Sequence, residues 1–249
     1  MKNLYTTLIA IVGMTLTTGV ADAQIHLFLQ EQEIKLEDGS SSAWVFPVAR
    51  DLDEALDDLK DYCKDRSDVR LKNSGENLVI AEEVSIPNIA TKRGDLIGYG
   101  FITENYYGLA LVFQLGYDIS INSIEWTDEM NNFRDYAKQF MSYHYEQSYA
   151  RRIESLEKEI KDLEKDVKQN ENKIDNNNRK IGNLNDRILK EEDDVKIESF
   201  KSEITTLEAD NQVLSDTLPK LTSQIETLLG NVERLKLESN TFQTTIGSI

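Results

Sequence analysis

The stretch "RIESLEKEIKDLEKDVKQNENKIDNNNRKIGNLNDRI", Arg152 to Ile188, decides how this chain is divided. Ile153, Leu156, Ile160, Leu163, Val167, Asn170, Ile174, Asn177, Ile181, Leu184 and Ile188 follow one another at alternating steps of three and four. That spacing is the a/d seam of a coiled coil. A second seam runs through Ile197, Phe200, Ile204, Leu207, Asn211, Leu214, Leu218, Leu221, Ile225, Leu228, Val232 and Leu235. At about 100° per residue, the step from Ile188 to Ile197 turns the second seam roughly 180° away from the first. One straight helix cannot present both seams to one partner. A bend is therefore expected at Glu191 to Lys196, folding the second arm back on the first as an antiparallel hairpin.

Mirroring about residue 194 sets Ile153 against Leu235, Ile174 against Leu214, and Asn177 against Asn211. A lone buried amide destabilises a seam, whereas two facing amides satisfy each other and fix the register. The bend contains neither glycine nor proline, which keeps a segmented parallel dimer as the alternative. Pro219 removes a backbone hydrogen bond from the second arm and is expected to make a weak joint beside Asn170. Beyond Ser239, "NTFQTTIGSI" has low helix propensity, and a frayed tail is expected over 241–249.

Upstream of the seams the composition changes. Tryptophan and tyrosine end at Tyr149, and glycine thins to Gly182, Gly230 and Gly247 beyond it. A folded domain is expected over 24–127, a connecting helix over 128–150, and coiled-coil arms over 151–190 and 197–240. "AWVFPV" (Ala43–Val48) reads as a strand that Pro47 pushes towards a sheet edge. "DLDEALDDLKDYCKD" places Leu52, Ala55, Leu56, Leu59, Tyr62 and Cys63 on one helical face. Asp51 stands at its cap, Glu54 at the capping-box position, and Asp57, Asp58 and Asp61 on its solvated side. Strands are read at 69–72, 78–86, 95–103, 108–115 and 117–121, with a further strand available in "IHLFLQ" (Ile25–Gln30). A helix opening at Thr127, Asp128 and Glu129 carries Phe133, Tyr136, Ala137, Phe140 and His144 on one side. The fold class is α+β: a small antiparallel sheet covered by helices in β-α-β4-α order, continuing into the coiled-coil stalk.

That order, with "LIGYG" after the acid-capped helix, resembles secreted bacterial domains of unknown function with a helix-grip, TATA-binding-protein-like fold. The resemblance covers roughly residues 43 to 145. It implies a fold and carries no catalytic motif, and the basic groove of nucleic-acid-binding relatives is missing.

The first residues have the form of an export signal. Lys2 supplies a minimal positive region, Leu8–Leu16 an apolar core, and Ala21-Asp22-Ala23 a small-x-small cleavage site. A cleaved leader over 1–23 and a periplasmic or secreted destination are expected, with no integral membrane segment left after cleavage. Cys63 is the only cysteine, which excludes an internal disulfide. The net charge is −17, with 23 acidic against 11 basic residues from Gln24 to Ala150 and 21 against 16 beyond. Such a surface repels phosphate backbones, so nucleic acid is not an expected partner.

Little in the chain points to catalysis. Gly98 and Gly100 form a lone G-x-G, and His26 and His144 are the only histidines, without metal-ligand spacing. Asp175–Asp186 begins like a calcium loop but has Lys180 where glycine is required. No cofactor and no catalytic residue is assigned. The aromatic stretch "FMSYHYEQSYARR" (Phe140–Arg152) reads as a joint, with Tyr143, Tyr145 and Tyr149 wedging the stalk base and Arg151 and Arg152 meeting acidic surface. The expected function is a non-enzymatic envelope adaptor or structural protein whose partner is another protein or a second copy of the chain. The alternative is a carrier holding an apolar ligand between sheet and helix, against Phe101, Leu111, Phe113 and Phe140. A hydrolase with an unrecognised carboxylate pair stands third.

Overall fold

The computed structural model describes residues 27–36, 39–49, 51–116 and 119–249. The leader, His26 and the start of "IHLFLQ" lie outside the described residues. In chain order the elements are β1 (Gln30–Leu36), β2 (Gly39–Val48), α1 (Leu52–Ser67), β3 (Lys72–Gly75), β4 (Leu78–Val84), β5 (Gly94–Ile102), β6 (Tyr107–Gln114), α2 (Thr127–Ile188) and α3 (Asp194–Ser248). The six strands form one antiparallel sheet in the order β1-β2-β6-β5-β4-β3. The fold is α+β, with two strands rather than one preceding α1, because Gln30–Leu36 pairs back on β2.

β2 is not an edge strand. It lies between β1 and β6, yet its ladder with β1 starts at Gln30 opposite Val45, leaving Pro47 beyond that ladder and opposite Gly108 of β6. The ring without an N–H sits where one flank has no partner strand. The strand expected at 69–72 lies later, at Lys72–Gly75; Val69 and Leu71 are buried side chains on the way to it. Of the strand expected at 117–121, Tyr117 and Asp118 are outside the described residues. The rest makes a single bridge, Gln114 to Ser120, before Ile121 enters the core.

α1 starts where Asp51 accepts hydrogen bonds from the N–H groups of Asp53 (2.9 Å) and Glu54 (3.4 Å). It stops at Asp68, in the left-handed region at φ 52°. Its apolar stripe packs on one face of the sheet beside the first turns of α2, closing a core that includes Trp44, Phe46, Leu59, Leu96, Leu111, Phe113, Phe133 and Phe140. The approach of α1 to β5 is possible because position 98 is glycine. A Cβ there would lie 2.4 Å from Leu59 Cδ2 and 3.0 Å from Val79 Cγ2. Gly98→Ala is expected to destabilise the protein by about 1–3 kcal/mol through overpacking, read as a lower urea midpoint at unchanged m-value.

α2 is 62 residues long, about 93 Å at 1.5 Å per residue. Its first five turns belong to the core: Met130, Phe133, Tyr136, Ala137, Phe140, Met141, His144 and Tyr145 are all buried. The break after it falls at 189–193, earlier than the expected 191–196. Asp193 caps the next helix, accepting from Val195 N–H at 3.0 Å and Lys196 N–H at 3.4 Å, and so fixes its start at Asp194. α3 runs through Pro219 to Ser248.

The tail expected to fray over 241–249 is helical as far as Ser248. Phe242 stacks on Tyr145 with ring centroids 4.9 Å apart, and Ile246 is 2% exposed in the domain core. Packing against the base of α2 overrides the low propensity of the threonine-rich sequence.

Candidate functional site

The structure concentrates buried charge where α2 leaves the domain. Asp58 sits on α1 among Ala55, Leu59 and Tyr62 and is 5% exposed, so it does not belong to the solvated acidic face with Asp57 and Asp61. An ion withdrawn from water needs full pairing, and Asp58 has it. Arg151 closes on the carboxylate with two bonds, Nη1 to Oδ1 and Nη2 to Oδ2, each 2.8 Å. His144 Nδ1 lies 2.7 Å from Oδ2. Burial pushes the Asp58 carboxyl up, but the hydrogen bonds from Arg151 and His144 and the charge of Arg151 outweigh burial and hold it below the ordinary carboxylate range.

The histidine tautomer follows from its other nitrogen. Nε2 accepts the Ala49 N–H at 3.1 Å, so the ring proton is on Nδ1 and points at Asp58. His144 is completely buried. In a hydrolase the aspartate-paired imidazole keeps Nε2 free for a nucleophile; here a backbone amide occupies it. The cluster therefore works as a clamp joining the end of β2, α1 and two turns of α2. Glu54, expected to close a capping box, instead reaches Arg151 Nη2 at 3.2 Å.

Aromatic rings surround the clamp. Tyr62 of α1 meets Tyr136, Phe140 and Tyr143 of α2 with centroids 5.3, 5.6 and 5.5 Å apart. Tyr145 and Tyr149 take Phe242 of α3 between them, and Arg152 lies over the Tyr149 ring at 5.7 Å. Cys63 is fully buried, and its sulfur accepts a hydrogen bond from the Tyr136 hydroxyl at 3.2 Å; burial pushes its thiol up to about 12, which leaves it unreactive at neutral pH.

At the root, the contacts of α2 with α3 join residues early in one helix to residues late in the other. Lys138 Nζ donates to Gly247 O at 3.0 Å, Gln243 Nε2 to Ser142 O at 3.0 Å, and Arg134 to the Ile249 carbonyl. Farther out, Asn177 Nδ2 donates to Asn211 Oδ1 at 3.0 Å, and Asn211 Nδ2 donates to Asn178 Oδ1 at 2.8 Å. Of the seam residues, Ile160, Leu184, Val232 and Leu235 are buried. Ile153, Leu156, Leu163, Val167, Ile174, Asn177, Ile181, Ile188, Ile204, Leu207, Asn211, Leu214, Leu221, Ile225 and Leu228 are half-buried. Asn177→Leu is expected to lower stability by about 1 kcal/mol by depriving the Asn211 carbonyl of its donor. Asn177→Leu with Asn211→Leu should raise the melting temperature while loosening register, seen as mixed products in cysteine crosslinking between the helices.

Other candidates do not assemble. Leu111, Phe113 and Phe140 fill the core with no exposure, while Phe101 lies on the opposite face of the sheet, against Gly108. The four do not line one cavity. Asp175–Asp186 is continuous helix within α2, so the calcium-loop reading fails on geometry. Among the described residues no group of three His, Cys, Asp or Glu side chains is placed to hold a metal ion. Among them, too, no helix is long and apolar enough to cross a membrane. A surface cleft of about 540 Å³ beside β1 is lined by Glu31, Ser42, Asn122, Ser123 and Glu125, but the Glu31 carboxylate is already engaged by Ser42 and the Ser123 N–H. Arg151 meets acids of the domain as expected, but the sequence reading placed Asp58 on the solvated side and missed its bond to His144, although one signal was there. Asp58 is three residues after Ala55 and four before Tyr62, on the apolar stripe itself, and His144 and Arg151 are two helical turns apart on one face. No family model, curated protein or solved structure matches the chain.

Proposed function

We propose that this chain is an exported, non-enzymatic adaptor of the cell envelope, in which the α+β domain orients a rigid arm that holds a protein partner at a distance. In this reading α2 and α3 form an intramolecular antiparallel coiled-coil hairpin, and the domain belongs with the helix-grip architectures. The apolar leader with its small-x-small site supports a periplasmic or secreted location. The observation that carries the proposal is the double rooting of the arm. α2 passes without interruption from the core through the Asp58–His144–Arg151 clamp, and α3 ends in the same core through Phe242 and Ile246. An arm tied at both ends transmits orientation, which a binding spacer needs and a flexible tether lacks.

The test must leave the root intact, because removing the whole arm would strip Phe242 and Ile246 from the domain. Residues 164–224 are replaced by a short glycine-serine turn, joining Leu163 to Ile225 across the seam. Native envelope is crosslinked mildly and captured proteins are identified by mass spectrometry. Partners captured by the full arm and lost on shortening it support the adaptor. A partner set unchanged by shortening, or a stoichiometric apolar small molecule on the purified protein, would overturn it.

A further inference from the structure

The two edges of the sheet are guarded to different degrees. β3 has only four residues, and its register against β4 shifts between Asn73 and Gly75, which makes it a short and irregular margin. β1 pairs with β2 over all seven residues, Gln30 to Leu36, with no register shift and no proline. Every second residue of such a strand turns its N–H and C=O away from its neighbour. Among the described residues no strand takes up those groups, because β1 ends the sheet. The cleft of about 540 Å³ opens on this flank, with Glu33, Ile119, Ile124 and Glu125 in its walls. Its far wall is pinned. Ser123 N–H donates to Glu31 at 3.1 Å, Asn122 Oδ1 accepts from the N–H groups of Ile124 at 3.0 Å and Glu125 at 2.9 Å, and Thr127 Oγ1 donates to Ser123 O at 2.9 Å. Glu31 is thus spent on building the cleft, while Ile124 is held 90% exposed and Ile119 47% exposed. Two isoleucines and two exposed carboxylates stand in water beside a row of free backbone groups.

We propose that β1 is a strand-addition site: an extended segment of a partner protein, alternating lysine or arginine with apolar residues, pairs along its free edge. The basic side chains turn to the side of the strand that carries Glu33. There their aliphatic stems lie on Ile119 and Ile124, and their charged heads meet Glu33 and Glu125. The apolar alternates turn the other way and extend the outer face beside Ile34 and Leu36, which are half-buried there. Charge selects this occupant. A neutral or acidic strand meets the carboxylates as a barrier, the usual defence of an edge. A second copy would bring another chain of net charge −17, with its own Glu31 and Glu33. A basic strand turns the same carboxylates into attraction, and the pinned loop needs no ordering when it binds. The cleft precedes the first turn of α2, roughly 36 Å along that helix from Arg151, so it is separate from the arm. If the adaptor reading holds, the chain grips one protein at β1 and reaches another with the arm.

The probe is a fluorescent peptide of about eight residues alternating lysine and valine, titrated with the full chain at about 0.1 M salt and read by anisotropy. A glutamate–valine peptide of the same length is expected to bind at least about tenfold more weakly. Glu33→Lys with Glu125→Lys should weaken the lysine peptide at least about tenfold and leave the melting temperature unchanged, since both side chains are exposed. Two further peptides carry N-methyl groups on the lysine or on the valine nitrogens, which keeps charge and side chains but removes one row of donors. At least one of them should lose about tenfold in affinity. Equal binding by the unmodified and both methylated peptides would mean attraction to an acidic surface alone and would overturn the proposal. Absence of binding, or binding indifferent to the two lysine substitutions, would do the same. A dimer by light scattering that those substitutions abolish would assign the edge to a second copy instead. Replacing 164–224 leaves this cleft untouched, so the peptide result stands apart from the capture result for the arm.

Discussion

Replacing Asp58 with alanine lowers the stability of the protein by about 3 kcal/mol, a drop in melting temperature of roughly 6–12 °C for a chain of this size. The effect exceeds the worth of the ion pair itself. With the carboxylate gone, the Nδ1–H of a completely buried His144 has no acceptor, and its other nitrogen is held by the Ala49 amide. Arg151 keeps only its 3.2 Å contact with Glu54. Asp58→Asn retains an acceptor for His144 and loses the charge, so it should fall between the alanine variant and the native protein. Arg151→Lys gives up the two-pronged geometry for a single contact and should lower stability by about 1 kcal/mol. Thermal melts of the three variants check the order, and an alanine variant within about 0.5 kcal/mol of native would remove the clamp from the account of the root.

The same carboxylate sets a pH dependence. Its folded pKa is depressed, so its contribution is present above the unfolded value, about 3.9, and is lost as pH falls through the folded value. Above that window the native protein should melt above Asp58→Asn by a constant margin. Below about pH 4 the margin should shrink, because the native side chain becomes protonated and resembles the amide. Parallel melts from pH 7 to pH 3 read this directly.

What was legible in the sequence followed from periodicity. Leu52, Ala55, Leu56 and Leu59 announced α1 by their spacing, and the steps of three and four from Ile153 to Ile188 announced a helix that the structure carries as α2. Asn177 and Asn211 stood out as amides on apolar seams, and the structure places them 3.0 Å apart. What was not legible depended on partners distant in sequence. Asp58 reads as one acid among several until Arg151, 93 residues later, reaches it. β3 lies later than its apolar residues suggested because Val69 and Leu71 serve the core rather than a ladder. The tail was misjudged for the same kind of reason. Thr241, Thr244 and Thr245 direct their hydroxyls back to carbonyls four residues earlier, while Phe242 and Ile246 supply the packing that holds the helix.

Deleting residues 241–249 is therefore expected to produce the larger of the two losses. It takes Ile246 out of the core, removes the ring stacked on Tyr145, and strips Arg134 and Lys138 of the carbonyls to which they donate, those of Ile249 and Gly247. Truncating one such side chain costs about 2–5 kcal/mol, and two together approach the whole stability of a typical domain, about 5–15 kcal/mol. The deleted chain should melt at least about 15 °C lower or lose its cooperative transition, with near-UV tyrosine signals collapsing before helix content does. Ile246→Ala alone should lose about 2–4 kcal/mol and keep two-state behaviour. The contrast with the shortened arm carries the argument. Replacing 164–224 removes far more residues but leaves the root untouched, so its domain should melt near the native temperature. If the short tail deletion proves harmless while the distal replacement unfolds the domain, the arm stabilises the fold from outside. An arm of that kind could not act as a lever whose direction is set at the Asp58 clamp and the Phe242 stack.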